Sequence, residues 1–345
     1  MDDKKGKILM KKKIIAGVRK IASRNYLTYR LYRRSVELFK PIEVPLLYPT
    51  DINLEVTTVC NAHCQFCTRD LLIKSGKRRS QHMSLDLAMQ SLTALHRITR
   101  DVGVPDDQIR FSPVGLGEPL LYPHLYPVIT RARELFPRAH LHANSNCIAL
   151  TEIQAEQLID CGLDAIRLSL DFNNPDQYTE MVGVDKFYSV SENIARFLKR
   201  KGNCLPAVTI HILDQGLSGQ EYKDFIRQWN PILNENDQIF IEPYIPMVQG
   251  IPANIPKYPC NQLWTTMMVD VSGNIFPCCL AVWYPLDEEL LLGDIHTGTD
   301  QILSRVSEIR SRHIQGDYRK CSGCAYLLTY RDLCRRFYNH LTHRK

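Results

Sequence analysis

The stretch Ile52-Asn-Leu-Glu-Val-Thr-Thr-Val-Cys60-Asn-Ala-His-Cys64-Gln-Phe-Cys67 decides how this chain is read. Its first part, Ile52 to Thr58, has the apolar and β-branched composition of a buried strand. Its second part sets three cysteines in a C-x3-C-x2-C run on one tight loop. Three thiolates so placed hold three irons of a cubane iron–sulfur cluster and bring no fourth protein ligand, which leaves one iron open for chemistry. Two plainer readings stand beside it. The thiols can be small apolar core residues, or a zinc knuckle, although zinc usually takes two separated pairs of ligands.

Downstream of this stretch, strand-like runs alternate with helical patterns to about residue 245. The expected strands are Ile52–Thr58, Ile109–Leu116, His140–Ser145, Ala165–Leu170, Ala207–Ile212 and Ile239–Tyr244. Helical periodicity falls near 84–100, 123–136, 151–161, 188–201 and 219–229, with Ser84, Thr151 and Ser218 as capping residues. Repeated strand–helix units predict a parallel sheet with right-handed crossovers, and six of them predict an α/β partial (β/α)6 barrel. Chemistry in such barrels sits at the C-terminal ends of the strands. The cysteine loop follows the first strand and so lies at that end.

With 345 residues, 44% of them hydrophobic and 23% charged, the chain has the make-up of a globular protein with one large and one small domain. Twelve cysteines are many for this length. No secretory signal or long apolar span is visible, so they read as metal ligands in a reducing cytoplasm. Charge is uneven. Residues 1–40 hold thirteen Lys or Arg against three Asp or Glu, a surplus of ten, so the whole-chain charge of +6 leaves the remainder at −4. In that arm Ile14, Val18, Ile21, Leu27, Leu31, Leu38 and Phe39 alternate with Arg19, Lys20, Arg24, Arg30, Arg33 and Arg34, the pattern of a basic amphipathic helix. It either packs across the barrel mouth or contacts an anionic membrane surface or an acidic partner. Nucleic acid is disfavoured, because basic and aromatic composition alone does not specify it.

The cysteine triplet, with Phe66 just before the third cysteine, resembles the radical S-adenosylmethionine (SAM) superfamily. Further motifs carry the resemblance: Gly115-Leu-Gly117-Glu118-Pro119 is similar to the family's Gly-Gly-Glu-Pro, Ser145-Asn146-Cys147-Ile-Ala-Leu150 to Thr-Asn-Gly-x-x-Leu, and Ser169-Leu-Asp171 to its Ser-Leu-Asp element. Leu116 and Cys147 stand where the family has glycine. The resemblance implies a [4Fe–4S] cluster on Cys60, Cys64 and Cys67 whose open iron takes SAM, with Phe66, Gly115, Gly117, Glu118, Asn146, Ser169 and Asp171 as SAM contacts. It also implies reductive cleavage of SAM to a 5'-deoxyadenosyl radical, and a reducing partner such as flavodoxin or ferredoxin. For Asn146, Ser169 and Asp171, ordinary turn and cap chemistry is the alternative.

Beyond the barrel, Cys260-x12-Gly273-x4-Cys278 followed by Cys321-Ser-Gly-Cys324 resembles the SPASM and Twitch extensions of that superfamily. Met267 to Cys278 reads as a hairpin turning at Asp270–Asn274. The resemblance implies one auxiliary [4Fe–4S] cluster on Cys260, Cys278, Cys321 and Cys324. Cys279 and Cys334 are substitutes for these ligands, and zinc is the competing metal. The expected domains are 1–49, a basic helical arm; 50–250, the partial barrel; and 251–345, a small cysteine-rich β-hairpin and helix extension.

An auxiliary cluster with four protein ligands implies electron transfer. A dehydrogenase needs a base, for which Glu242 and Tyr244 are the candidates; an epimerase needs a thiol hydrogen donor, for which Cys279 is the candidate. Cys161 and Cys204 read as core, and Cys147 as lying near SAM. The leading expectation is an oxidoreductase on a sugar, aminocyclitol or similar polyol. A maturase of ribosomally made peptides and a non-catalytic iron–sulfur electron carrier are the alternatives.

Overall fold

The computed structural model describes residues 49–215, 218–243, 262–283, 288–315, 317 and 321. Six units follow one another: β1 (Asp51–Leu54), α1 (Arg69–Lys74), α2 (Leu85–Val102), β2 (Arg110–Ser112), α3 (Leu125–Leu135), β3 (His140–Ser145), α4 (Glu152–Asp160), β4 (Ala165–Asp171), α5 (Pro175–Val182), α6 (Phe187–Lys201), β5 (Ala207–Asp214), α7 (Gly219–Trp229) and β6 (Gln238–Pro243). Then come α8 (Gln262–Thr265), β7 (Thr266–Val269), β8 (Asn274–Phe276), β9 (Gly293–Asp294) and α9 (Thr299–Ile314).

Among the described residues the strands form one open sheet in the order β6-β5-β4-β3-β2-β1-β7-β8-β9. The first six are parallel and consecutive, so each crossover helix returns the chain to the next strand at the same end. This is the expected partial barrel. The hairpin β7–β8 is not a separate sheet: β7 runs parallel to β1, with Asn53 opposite Met268. The anticipated boundary at 250/251 and residues 1–48 of the arm lie outside the described residues, as do Tyr244, Cys260, Cys324 and Cys334.

Strand periodicity sorts side chains between the two faces. In β4, Ile166, Leu168 and Leu170 are buried, while Arg167, Ser169 and Asp171 alternate to the other face and are half-buried. Helices start and stop on local chemistry. Ser84 Oγ accepts from Leu87 N at α2, Thr151 Oγ1 from Gln154 N at α4, and Ser218 and Glu221 form a capping box at α7. Helix α9 lies against α2, where Arg97 donates to Thr297 O (2.8 Å) and Thr299 to Asp101 (2.5 Å). No helix among the described residues is long and apolar enough to cross a membrane.

Two expectations are corrected. The first strand stops at Leu54, because Glu55 turns its carboxylate inward and the following residues pair singly with other loops. Cys204 is exposed rather than core. It lies in the loop after α6, where its backbone carbonyl accepts from buried Lys201 (3.3 Å) while its side chain is left to water.

Candidate active site

The cysteine loop leaves β1 and is clamped on three sides. Val59 N donates to Thr57 Oγ1 (2.9 Å), and Thr58 Oγ1 donates to Arg79 O (2.6 Å), fixing the approach to Cys60. Underneath, His63 N donates to Val182 O (3.0 Å) and Gln65 N to Met181 O (2.8 Å), so the loop caps the last carbonyls of α5. Gly183 ends that helix at φ +77°, and a Cβ there would stand 2.8 Å from His63 O. On the far side, Cys67 N donates to Cys64 O (3.0 Å), and Thr68 Oγ1 donates to Trp283 O of the C-terminal extension. Phe66 makes an edge contact with Phe172 at 6.0 Å between ring centroids.

The three thiols lie close enough for the charge of each to affect another. Burial pushes Cys60, Cys64 and Cys67 above the ordinary thiol range, Cys67 to about 11; repulsion from neighbouring thiols adds to it at Cys64 and Cys67, and the Glu118 carboxylate adds to it at Cys60. Such thiols become thiolates only against strong positive charge, which the irons of a cluster provide. The donor set, three sulfurs on one eight-residue loop, fits that group. Among the described residues no group of three or more His, Cys, Asp or Glu closes round a single metal ion.

The loop after β2 lies along the cysteine loop. Gly117 N donates to Thr57 O (3.1 Å) and Glu118 N to Val59 O (2.9 Å). Both glycines are needed for close approach, and neither adopts a positive φ. A Cβ on Gly117 would stand 2.5 Å from Thr57 O, and one on Gly115 would overlap the Glu55 side chain. Fully buried Glu118 accepts from Leu120 N (3.0 Å), Ser145 Oγ (2.9 Å) and Asn146 N (2.7 Å), tying the loops after β2 and β3 together. Burial pushes its carboxyl up, against these three donors.

From the loop after β3, Asn146 Nδ2 donates to Asn61 Oδ1 (2.8 Å) and stands 3.7 Å from Cys60 Sγ. Cys147 takes φ +62°, the left-handed conformation for which the family pattern has glycine. It is held there by Ser145 Oγ, which accepts its N–H (2.9 Å), and by Asn193, which donates to its carbonyl (2.9 Å). Its thiol is fully buried and pushed well above its usual range by that burial. Asp171, also at φ +62°, lies at a register shift between β4 and β5. Its Oδ1 is 3.0 Å from His211 Nδ1, and His211 Nε2 is 2.6 Å from Arg167. Because arginine only donates, Nε2 accepts, and the network assigns the proton to Nδ1, facing Asp171.

The sequence pattern did not single out His211, Arg167, Gly183, Glu55 or Arg78. Glu55 is wholly buried at the end of β1. Its carboxylate pairs with Arg78 and accepts from Leu116 N (3.1 Å) and Val271 N (3.1 Å). Arg78 also donates to Val282 O (3.1 Å). One ion pair thus fastens the loop after β2 to the hairpin. The readable signal was a lone ionisable residue inside an apolar run, in Asn53-Leu-Glu-Val and again in Thr209-Ile-His-Ile.

In the extension, Cys278 Sγ accepts from Leu280 N (3.2 Å) and is pushed up chiefly by its neighbour Cys279 and by burial. Cys321 Sγ is 3.4 Å from His313 Nε2. The other two proposed ligands, Cys260 and Cys324, are outside the described residues. Glu242 lies in β6 opposite Leu213.

With this geometry in view, comparison with known proteins is direct. The sequence profile of the radical SAM superfamily matches residues 54–228, slightly more than half of the chain. The chain belongs to the radical SAM superfamily. A second profile, the SPASM iron–sulfur cluster-binding domain, matches residues 260–325. The protein is therefore a radical SAM enzyme with a SAM-binding [4Fe–4S] cluster and an auxiliary iron–sulfur cluster. A GTP 3',8-cyclase of Streptomyces coelicolor is 28% identical over 177 residues, 51% of this chain and 48% of that protein. The chain thus spans about half the length of such curated relatives. Two solved structures share the fold. BtrN in complex with AdoMet and 2-DOIA has a TM-score of 0.50 at 18% identity, covering 82% of this chain and 94% of that one. Streptococcus suis SuiB bound to S-adenosylmethionine has a TM-score of 0.53 at 15% identity, covering 87% and 78%.

Proposed function

We propose that this radical SAM enzyme is an oxidoreductase acting on a sugar, aminocyclitol or similar polyol. The observation that supports this reading is the polar inner face of β3 to β5, where Asn144, Arg167, Ser169, Asp171, Thr209 and His211 alternate with buried apolar residues. Such a wall offers donors and acceptors in number, which a hydroxyl-rich ring can satisfy and an apolar substrate cannot. When bound, SAM at its cluster supplies a 5'-deoxyadenosyl radical that takes a substrate hydrogen, and the auxiliary cluster supplies an electron acceptor.

The chain's own residues then have distinct tasks. Cys60, Cys64 and Cys67 hold the first cluster; Cys260, Cys278, Cys321 and Cys324 hold the second. Gly115, Gly117 and Glu118, with Phe66 and Asn146, shape the SAM side of the loop. Ser169 and Asp171 hold hydroxyl groups of ribose or substrate, and the His211 ring orients Asp171. Glu242 or Tyr244 takes the hydroxyl proton of a substrate being oxidised. A flavodoxin or ferredoxin reduces the enzyme, and the chain divides at 49/50 and 250/251 into arm, barrel and cluster domain.

The test is anaerobic incubation of cluster-loaded protein with SAM, dithionite and a panel of polyols in D2O. A dehydrogenase yields 5'-deoxyadenosine and a polyol product two hydrogens lighter; Cys64→Ala reduces both to background. An epimerase instead gives a product of unchanged composition carrying solvent deuterium, lost in Cys279→Ala. Absence of 5'-deoxyadenosine from cluster-loaded protein would leave only electron carriage. Turnover of a precursor peptide with all polyols refused would replace the polyol reading by peptide maturation, SuiB being captured in one structure with its precursor peptide SuiA.

A further inference from the structure

Directly after the third cysteine, residues 69–79 read Arg-Asp-Leu-Leu-Ile-Lys-Ser-Gly-Lys-Arg-Arg, five cations against one acid in a body that is otherwise mildly acidic. Two of the five work inside the fold. Arg69 donates to Thr58 O (2.6 Å) and Asp70 (2.5 Å), and Arg78 serves Glu55. The other three, Lys74, Lys77 and Arg79, are exposed, and no carboxylate among the described residues pairs with them.

Backbone geometry gathers these charges around the cysteine loop. At the end of α1, Ser75 N donates to Leu71 O (3.0 Å), while Lys77 N and Arg78 N both donate to Leu72 O (3.0 and 3.1 Å). That curl returns Lys77 to the helix end that bears Lys74. The carbonyl of Arg79 is held by Thr58 Oγ1, two residues before Cys60. The basic segment therefore touches both flanks of the cysteine loop. On it, Leu71 is 59% exposed. Leu71 lies four residues beyond Cys67, in the first turn of α1. Cations near a helix C-terminus also complement its dipole. That accounts for Lys74, but not for Arg79 beyond the last turn or for an exposed leucine.

We infer that α1 and the loop behind it, with Leu71 at the centre and Lys74, Lys77 and Arg79 around it, form the docking surface for an acidic one-electron carrier protein. The inference rests on the family assignment and on the Cys60–Cys64–Cys67 cluster, and is independent of the substrate. One electron passes from carrier to cluster, the carrier is oxidised by one electron, and no bond is made or broken. Redox encounters of this kind are small and brief, and they are steered by opposite charge, so their rates fall as salt rises.

The experiment uses flavodoxin hydroquinone as probe and the cluster-loaded full chain. Stopped-flow bleaching of the cluster absorbance gives the second-order rate constant at low and high salt, and FMN fluorescence anisotropy gives binding. In Lys74→Glu/Lys77→Glu/Arg79→Glu the rate constant and the affinity at low salt are expected to fall at least about tenfold, with the salt dependence reversed, because salt then screens a repulsion. Reduction by dithionite, iron content and 5'-deoxyadenosine formation with dithionite stay at wild-type level, which separates this surface from the catalytic reading. Leu71→Ser weakens binding without altering its salt dependence, and Lys74→Arg/Lys77→Arg, which keeps all three charges, binds and is reduced as the wild type is. Unchanged flavodoxin kinetics in the triple glutamate variant would overturn the inference, as would capture of the segment by anionic vesicles with no effect of the substitutions on flavodoxin.

Discussion

Gly117→Ala is expected to fold and yet to lose the barrel cluster, with 5'-deoxyadenosine formation falling to background while iron bound by the C-terminal cysteines remains. The methyl group would stand 2.5 Å from Thr57 O, 2.8 Å from Thr57 C and 2.7 Å from Val59 O. These are backbone atoms, so no side-chain rotation relieves the overlap. They are also the acceptors for Gly117 N and Glu118 N, which means that the loop after β2 must pull away from the strand end that delivers Cys60. Overpacking of this kind costs about 1–3 kcal/mol, small beside the roughly 5–15 kcal/mol that hold a domain together. The damage is therefore local, in ångströms at the sulfur positions. Gly103→Ala is the control. Gly103 takes φ +77° with nothing within 4 Å of an added methyl, so only the left-handed penalty of about 1–2 kcal/mol applies. Its iron content and activity stay at wild-type level. A Gly117→Ala protein with full barrel iron and full SAM cleavage would show that the loop does not depend on this approach.

The barrel was legible because its signals are local. His140–Ser145 is both the expected and the observed third strand, and the caps at Ser84, Thr151 and Ser218 start helices where they were expected. The short helix α5 escaped notice although Asn174 caps it and Pro175 begins it, because eight residues carry too little periodicity. The cluster cysteines were legible from spacing. What they rest on was not: the contacts of His63 and Gln65 with Val182 and Met181 join the cysteine loop to the end of α5, more than a hundred residues away. Gly115 and Gly117 were expected to favour a ligand, whereas the close approach that requires them is to Glu55 and to the chain's own backbone. Cys147 shows the reverse, since a side chain sits where the pattern has glycine, and its neighbours hold the left-handed backbone that the pattern encodes. Glu55 and Arg78 were missed because burial is a property of the assembled fold, and nothing in Asn53-Leu-Glu-Val announces a partner 23 residues away.

That pair carries the second large effect. Glu55→Ala leaves the Arg78 guanidinium buried without its counter-charge, and leaves Leu116 N and Val271 N without their acceptor. Breaking a buried pair from one side costs about 3–5 kcal/mol. At about 2–4 °C per kcal/mol for a domain of this size, the melting temperature of the full chain should fall by about 10 °C. Arg78→Met should cost a similar amount, because it strands the carboxylate and also removes the bond to Val282 O. Combining Glu55→Gln with Arg78→Met removes both charges and keeps an acceptor for one of the two backbone donors, which use different carboxylate oxygens. Measured against the Glu55→Gln and Arg78→Met single variants, the loss in the double variant should be smaller than the sum of those two losses, with a coupling of about 0.5–3 kcal/mol. Since the pair joins the loop after β2 to the residues on either side of Cys278, the single variants should also bind less auxiliary iron, and the double variant should recover it. Strict additivity in a double-mutant cycle followed by thermal melting would mean that the two residues stabilise the fold separately, and that the hairpin is fastened to the barrel by its β7–β1 strand pairing rather than by this charge.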